Sequence, residues 1–325
     1  MVKITIDNIE VEVEKGTTIL NAARQIGGKV VPPTMCYYSK LKGSGGKCRT
    51  CLVKVVKGSG ADPRPMPKLV ASCSTPVQDG MVVENNLSQE VLEARKGVVE
   101  FLLTNHPLDC PICDQAGECD LQDLSYGHGE GESRYEEERR RFDLIDLGPN
   151  IQLNNNRCIL CYRCVYLSAQ LTDKRLIGVL FRGDHSEIST YINEAIENDF
   201  SGNVIDVCPV GALTDRTSRF KSRVWFTKPY DAHRDCPKCA GKVVLWNKGN
   251  EILRVTGRKD VFGEVEDFIC NECRFEKKQL SDWVIEGPRH INRQSVISLN
   301  HYENINKLKE TSENINKLKE TPPKD

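Results

Sequence analysis

The chain has almost no net charge, no long apolar run, no nucleotide-binding glycine motif and few aromatic residues. Its 45 basic and 46 acidic side chains leave a formal charge of -1, so there is no basic footprint and nucleic acid is excluded as the main partner. No stretch reaches the apolar length that spans a bilayer, and Met1-Val2-Lys3-Ile4 opens a strand rather than a signal peptide, so a soluble, cytoplasmic protein is expected. No G-x-G-x-x-G follows a strand, and a phosphate loop around Gly46-Lys47 would need glycine at Leu41 and a hydroxyl residue at Cys48. The chain is therefore expected to bind no dinucleotide by itself. Six CxxC units lack a following histidine, which removes c-type haem attachment. Hydrophobic content of 39% and aromatic content of 6% allow only modest cores.

What the chain has in abundance is cysteine. The 15 thiols fall into four groups, Cys36/Cys48/Cys51/Cys73, Cys110/Cys113/Cys119, Cys158/Cys161/Cys164/Cys208 and Cys236/Cys239/Cys270/Cys273. His106 completes the second group, giving four sets of four ligands with no thiol left over. Disulfides compete for such a content, but repeated CxxC units without an export signal favour thiolates on metal in a reducing compartment. Modules of about 50 to 80 residues bury too little apolar surface to fold comfortably alone, and bound metal offsets that deficit.

Taken in order, the chain reads as α+β. Val2, Ile4, Ile6 and Ile9, Val11, Val13 alternate around Asp7-Asn8, a hairpin signal. Thr17 or Thr18 can cap a short helix over Ile19 to Ile26 that Gly27-Gly28 ends, and Leu52 to Val56 reads as a strand, together suggesting a β-grasp unit. A further helix, capped by Ser88 and carrying Val91, Val98, Leu102 and Leu103, ends where Pro107 biases His106 out of helical geometry. Residues 130–141 carry mixed charge and read as a solvated face or linker. Three thiols and one imidazole at 106–119 suit zinc as well as iron.

The loop of Cys36, Gly43-Ser44-Gly45-Gly46, Cys48 and Cys51, with Cys73 following, resembles a plant-type [2Fe–2S] ferredoxin with a wide first interval. His106/Cys110/Cys113/Cys119 is similar to the [4Fe–4S] module that follows such a domain in complex I and in NAD-linked and iron-only hydrogenases. Cys158 to Cys164, completed by Cys208-Pro209, resembles half of a bacterial two-cluster ferredoxin. The positions that would serve a second cluster hold Ser168, Asn198, Ser201 and Val204, so one cluster is expected. Asp235 to Val243 with Ile269 to Phe275 resembles the iron–sulfur segment of molybdopterin oxidoreductases. Val243 stands at that family's third ligand position and Cys273 at its glycine, leaving a 2+2 set for a third [4Fe–4S] cluster or zinc.

The order of modules resembles the large iron–sulfur subunit of respiratory complex I over residues 1 to about 285. The resemblance implies a β-grasp domain at 1–80, a helical domain with one His and three Cys ligands at 81–141, a ferredoxin-like domain at 142–222, a small β-rich four-Cys domain at 223–285 and a tail at 286–325. It implies a short form without the molybdopterin-type C-terminal domain. The cofactors implied are one [2Fe–2S], two or three [4Fe–4S] and, at the fourth site, the alternative of zinc. Electrons would pass from a flavin-bearing, NADH-oxidising subunit towards a quinone-reducing iron–sulfur subunit, with the membrane touched only through the proton-translocating complex. The rivals are the iron–sulfur diaphorase subunit of an NAD-linked hydrogenase or formate dehydrogenase and, from another class, a zinc-stapled scaffold. The tail repeats Glu303 to Thr311 at Glu313 to Thr321, with too few aliphatics to build a core.

Overall fold

A computed structural model describes residues 1–171, 176–190 and 198–289 of the chain; the repeat expected at 303–321 lies outside the described residues. The hairpin of β1 (Val2–Ile6) and β2 (Ile9–Val13) turns through Asp7 and Asn8, both at positive φ as a tight two-residue turn requires. Asp7 also receives the N–H groups of Asn85 and Asn86 at 2.7 and 3.0 Å. Helix α1 (Ile19–Ile26) is capped by Thr18, whose hydroxyl accepts the Asn21 N–H. With β3 (Leu52–Lys57), β4 (Val70–Ala71) and β5 (Met81–Glu84), the hairpin makes a five-stranded sheet ordered β2-β1-β5-β3-β4 in which β1 and β5 run parallel. The apolar face of α1 closes it over Ile4, Ile6, Val53, Val55 and Met81, a β-grasp core.

Helix α2 (Gln89–Leu103) starts at Ser88, whose carbonyl accepts the N–H groups of Val91 and Leu92; its side chain makes no cap bond. The sequence marked Val91, Val98, Leu102 and Leu103 as apolar residues at roughly helical spacing. The fully buried stripe is instead Val91, Arg95 and Val99, while Leu102 and Leu103 are partly buried. Residues four apart do set this face, but a cation occupies its middle. Arg95 is held by the carbonyl oxygens of Thr50 and Leu52 and the side chains of Asn85 and Asn86, so α2 is fastened to the first cysteine loop. Burial lowers its pKa to about 10.

The middle of the chain is built around ligands rather than layers. Helix α3 (Asp120–His128) follows Cys119 directly; β6 (Ile145–Asp146), β7 (Ile151–Leu153) and, later, β10 (Leu213–Asp215) form a three-stranded sheet. Between them come α4 (Arg163–Leu171), the hairpin β8 (Ile177–Leu180) with β9 (Glu187–Thr190), and the short α5 (Asn203–Val207). The 130–141 run is largely exposed and leans on α2 through the Arg134–Glu100 and Lys96–Glu130 ion pairs.

The last sheet is antiparallel, with order β13-β12-β11-β14: β11 (Lys228–His233), β12 (Lys242–Lys248), β13 (Glu251–Gly257) and β14 (Val284–Pro288). The expected pairing of 243–246 with 251–255 is present, with Leu245 opposite Val255. This module folds back on the others. Asp206 of α5 meets Arg274 at 2.6 Å with both side chains buried; Asn203 exchanges two hydrogen bonds with Ile269; Arg254 forks onto Glu118. It also reaches the first module, since Glu264 pairs with Arg24 at 2.8 Å and the Val265 N–H donates to the Tyr38 hydroxyl at 2.6 Å. Among the described residues no helix is long and apolar enough to cross a membrane.

Candidate metal centres

At the first site the glycines do local work. Gly43, Gly45 and Gly46 all lie at positive φ, and a Cβ on Gly45 would sit 3.4 Å from the Cys73 sulfur. The turn aims backbone donors at sulfur: Gly46 N–H at Cys73 (3.2 Å), and Lys47 and Cys48 N–H at Cys36 (3.3 and 3.4 Å). The neighbouring Cys48 and Cys73 thiols, with those N–H groups, pull Cys36 far below an ordinary thiol, and the Cys73 thiol pulls Cys51 to about 7, while Cys48 and Cys73 are pushed up. Four buried thiols crowded together, with backbone N–H groups aimed at their sulfurs, suit the negative charge of an iron–sulfur cluster.

The second set gathers between α2 and α3. His106 leaves α2 with its N–H on the Leu103 carbonyl. Burial lowers its pKa to about 4, keeping the imidazole neutral, and its Nδ1 is buried without a hydrogen-bond partner, as a ligand nitrogen would be. Cys110 opens a single 3-10 turn; Cys119 takes the N-cap position of α3, where the N–H groups of Gln122 and Leu121 face its sulfur. Burial pushes Cys119 to about 12 and raises Cys113. Cys113 lies so close to Gly211 that a Cβ there would fall 2.2 Å from its sulfur. Arg157, next to Cys158, holds Asp109, next to Cys110, at 2.9 Å.

The third set surrounds a small cavity. Cys158, Cys161, Cys164 and Cys208 line it together with Leu153, Ile188, Val210 and Leu213. Leu160 and Tyr162, at positive φ, wind the Cys158–Cys164 loop about that space, and Cys208 enters from the end of α5. Burial raises all four thiols, Cys161 to about 12, so thiolates form there only against a cation. The residues at the missing second-cluster positions do structural work. Ser168 accepts the Ile177 N–H, while Asn198 and Ser201 accept from Asn271 of the last module.

The second and third sets share backbone: Pro209, beside Cys208, accepts the Asp120 N–H at 3.1 Å and lies 3.8 Å from the Cys119 sulfur. Arg163 ties in the first. Lying between Cys161 and Cys164, it donates to the Tyr37 carbonyl at 2.8 Å, stacks 5.2 Å over the Tyr38 ring and lies 3.9 Å from Asp120. Sequence reasoning missed Arg163, Arg157, Tyr38 and Gly211. The only signal for Arg163 was a charge enclosed by ligands, and for Gly211 a glycine shortly after Cys208-Pro209.

The fourth set differs in scale. Its sulfurs are 3.8 Å apart for Cys236–Cys270 and 3.7 Å for Cys239–Cys270 and Cys239–Cys273. All four lie within 4.8 Å of one another, the one group of three or more metal-ligating side chains drawn so tight among the described residues.

Family models match three stretches: a 2Fe-2S iron-sulfur cluster binding domain at residues 1–87, an NADH-ubiquinone oxidoreductase-G iron-sulfur binding region at 95–134, and the ferredoxin-like domain of NADH-quinone oxidoreductase subunit 3 at 148–214. The chain is 36% identical to the G-type subunit of NADH-quinone oxidoreductase from Rickettsia bellii over 95% of its length and 44% of the relative's. It is 41% identical to the NADH-ubiquinone oxidoreductase 75 kDa subunit of Reclinomonas americana over 85% of its length and 38% of that chain. It thus spans less than half the length of these relatives. The crystal structure of an NAD+-reducing [NiFe]-hydrogenase in the H2-reduced state contains a chain similar to it, with a TM-score of 0.58 and 27% identity over 69% of this chain and 91% of that one. Cluster-binding domains in this order, packed around three joined sets of thiols, make the chain similar over part of their length to G-type subunits of NADH-quinone oxidoreductase.

Proposed function

We propose that the chain relays electrons within an NADH:quinone oxidoreductase, from a flavin-bearing subunit towards a quinone-reducing iron–sulfur subunit, on the cytoplasmic side of the membrane. The ligands would be Cys36, Cys48, Cys51 and Cys73 for a [2Fe–2S] cluster, and His106, Cys110, Cys113, Cys119 and Cys158, Cys161, Cys164, Cys208 for two [4Fe–4S] clusters. Such clusters, when bound, supply one-electron storage at potentials set by charge, hydrogen bonds and solvent exposure. The protein's part is to exclude water, donate N–H groups to sulfur and hold the sets at fixed separation.

The observation that carries this reading is the joining of all three sets through buried groups. Arg163 spans from the third set to Tyr37 beside Cys36, and Pro209 spans from Cys208 to Cys119. Separate metal-stapled folds have no need of such sharing. The similarity to a hydrogenase chain favours a second reading, a diaphorase subunit passing electrons to a hydrogenase. Anaerobic reconstitution of the full chain tests the relay: EPR of the reduced protein is expected to give one two-iron and two four-iron signals, with Cys48→Ser removing only the first. Copurification of a tagged chain with quinone-reducing rather than hydrogenase subunits separates the two readings. A colourless protein without EPR signals would refute both.

A further inference from the structure

The fourth site has the dimensions of one ion. Zinc takes thiolates at about 2.3 Å, and a regular tetrahedron of that radius has edges of about 3.8 Å. The observed separations of 3.7 and 3.8 Å are those edges. A four-iron cluster places each thiolate on a different iron, which spreads the sulfurs by the width of the metal core. At the third site the thiols stand around a cavity; at the fourth they touch.

The backbone agrees with the sulfur geometry. The two CxxC turns are alike: the N–H groups of Lys238 and Cys239 face the Cys236 sulfur, and the N–H of Cys273 faces that of Cys270. The first turn closes through Gly241 at positive φ, where a Cβ would overlap the Arg234 carbonyl oxygen at 2.1 Å. One turn joins β11 to β12 and the other follows β13, so an ion between them clamps the sheet to the segment that ends in Trp283 and β14. Four thiolates on a divalent ion carry net negative charge. Arg234 stands beside them, paired with Glu272 at 3.2 Å and with its Nη1 buried and unpartnered.

We propose that Cys236, Cys239, Cys270 and Cys273 hold a single zinc ion as a structural staple, so that the fourth module carries no electrons. The staple is independent of the relay reading, since it stands on sulfur geometry alone. The full chain, purified anaerobically from cells supplied with iron and zinc, is expected to contain one zinc and about ten irons, and to take up about three electrons in a dithionite titration. About fourteen irons without zinc, or a single extra iron in place of zinc, would overturn the proposal. Cys239→Ser should lose the zinc while the two-iron and four-iron EPR signals persist, and cobalt substitution should give a thiolate charge-transfer band absent from that variant. If the variant does not fold, the metal ratio and electron count of the unaltered chain decide. Absence of every iron signal with zinc present would sink the relay and leave the staple standing.

Discussion

The third and fourth sites use the same four side chains and differ in the space between them. At the third, Cys158, Cys161, Cys164 and Cys208 come from three directions, a wound loop, the start of α4 and the end of α5, and leave a small apolar cavity. At the fourth, two similar turns face each other across a sheet end and the sulfurs close to contact distance. Donor chemistry is therefore silent on nuclearity; the elements that deliver the thiols set the room for metal.

The strongest way to break this comparison is to separate the two modules. Arg274, next to Cys273, forks onto Asp206, two residues before Cys208, at 2.6 and 3.2 Å. Arg274→Met leaves a buried carboxylate unpaired and should cost about 3–5 kcal/mol in denaturant unfolding. Burial pushes the Asp206 pKa up, but Arg274, with Lys259 and the Gly257 N–H, outweighs it and the folded value lies below the ordinary one. This pair therefore stabilises the fold above the unfolded carboxylate pKa of about 4, and the contribution is lost as pH falls through the lower folded value. In Arg274→Met burial is left to push the Asp206 pKa up, so that acid dependence should reverse in a stability-versus-pH series, the variant recovering stability as the unpaired carboxyl takes a proton. If zinc stays bound while the third cluster is destabilised, the two centres are energetically separable.

Gly211→Ala comes next. The added Cβ would lie 2.2 Å from the Cys113 sulfur, and overpacking of this kind costs about 1–3 kcal/mol. The expected result is loss of about four irons from the second set, with zinc unchanged in metal analysis.

A smaller effect is expected at His106. A neutral imidazole in place of a thiolate makes its cluster one charge less negative, so His106→Cys should lower that potential, by an amount on the order of tens of millivolts or more. A redox titration without a shift would show that the buried Nδ1 is no ligand.

The smallest effect sharpens the comparison most. Val243, at the position where the molybdopterin-type pattern carries its third cysteine, is fully buried in β12 among Leu245, Cys270 and Cys273. Val243→Cys is close to volume-conserving and should cost under about 1.5 kcal/mol. If room rather than ligand number sets nuclearity, the added thiol brings no iron. A gain of four irons would show that the fourth module retains the capacity for a cluster.

Local pattern made much of this molecule legible. Asp7-Asn8 demanded a hairpin, and Thr18 and Gly27 bounded α1, because turn chemistry and capping act over a few residues. Placing Arg95 on the inner face of α2 was beyond local reading. A cation on an apolar stripe is acceptable only once Thr50, Leu52, Asn85 and Asn86, from elsewhere in the chain, supply its acceptors. Arg163 became a junction only when Tyr37 and Asp120 were brought to it. By itself the sequence determined how the thiols are spaced along the chain, since that spacing is a covalent fact. Tertiary structure decided how far apart the sulfurs stand, because that distance depends on how α5, β11 and the turn after β13 pack, through contacts between residues more than two hundred positions apart, as from Tyr38 to Val265.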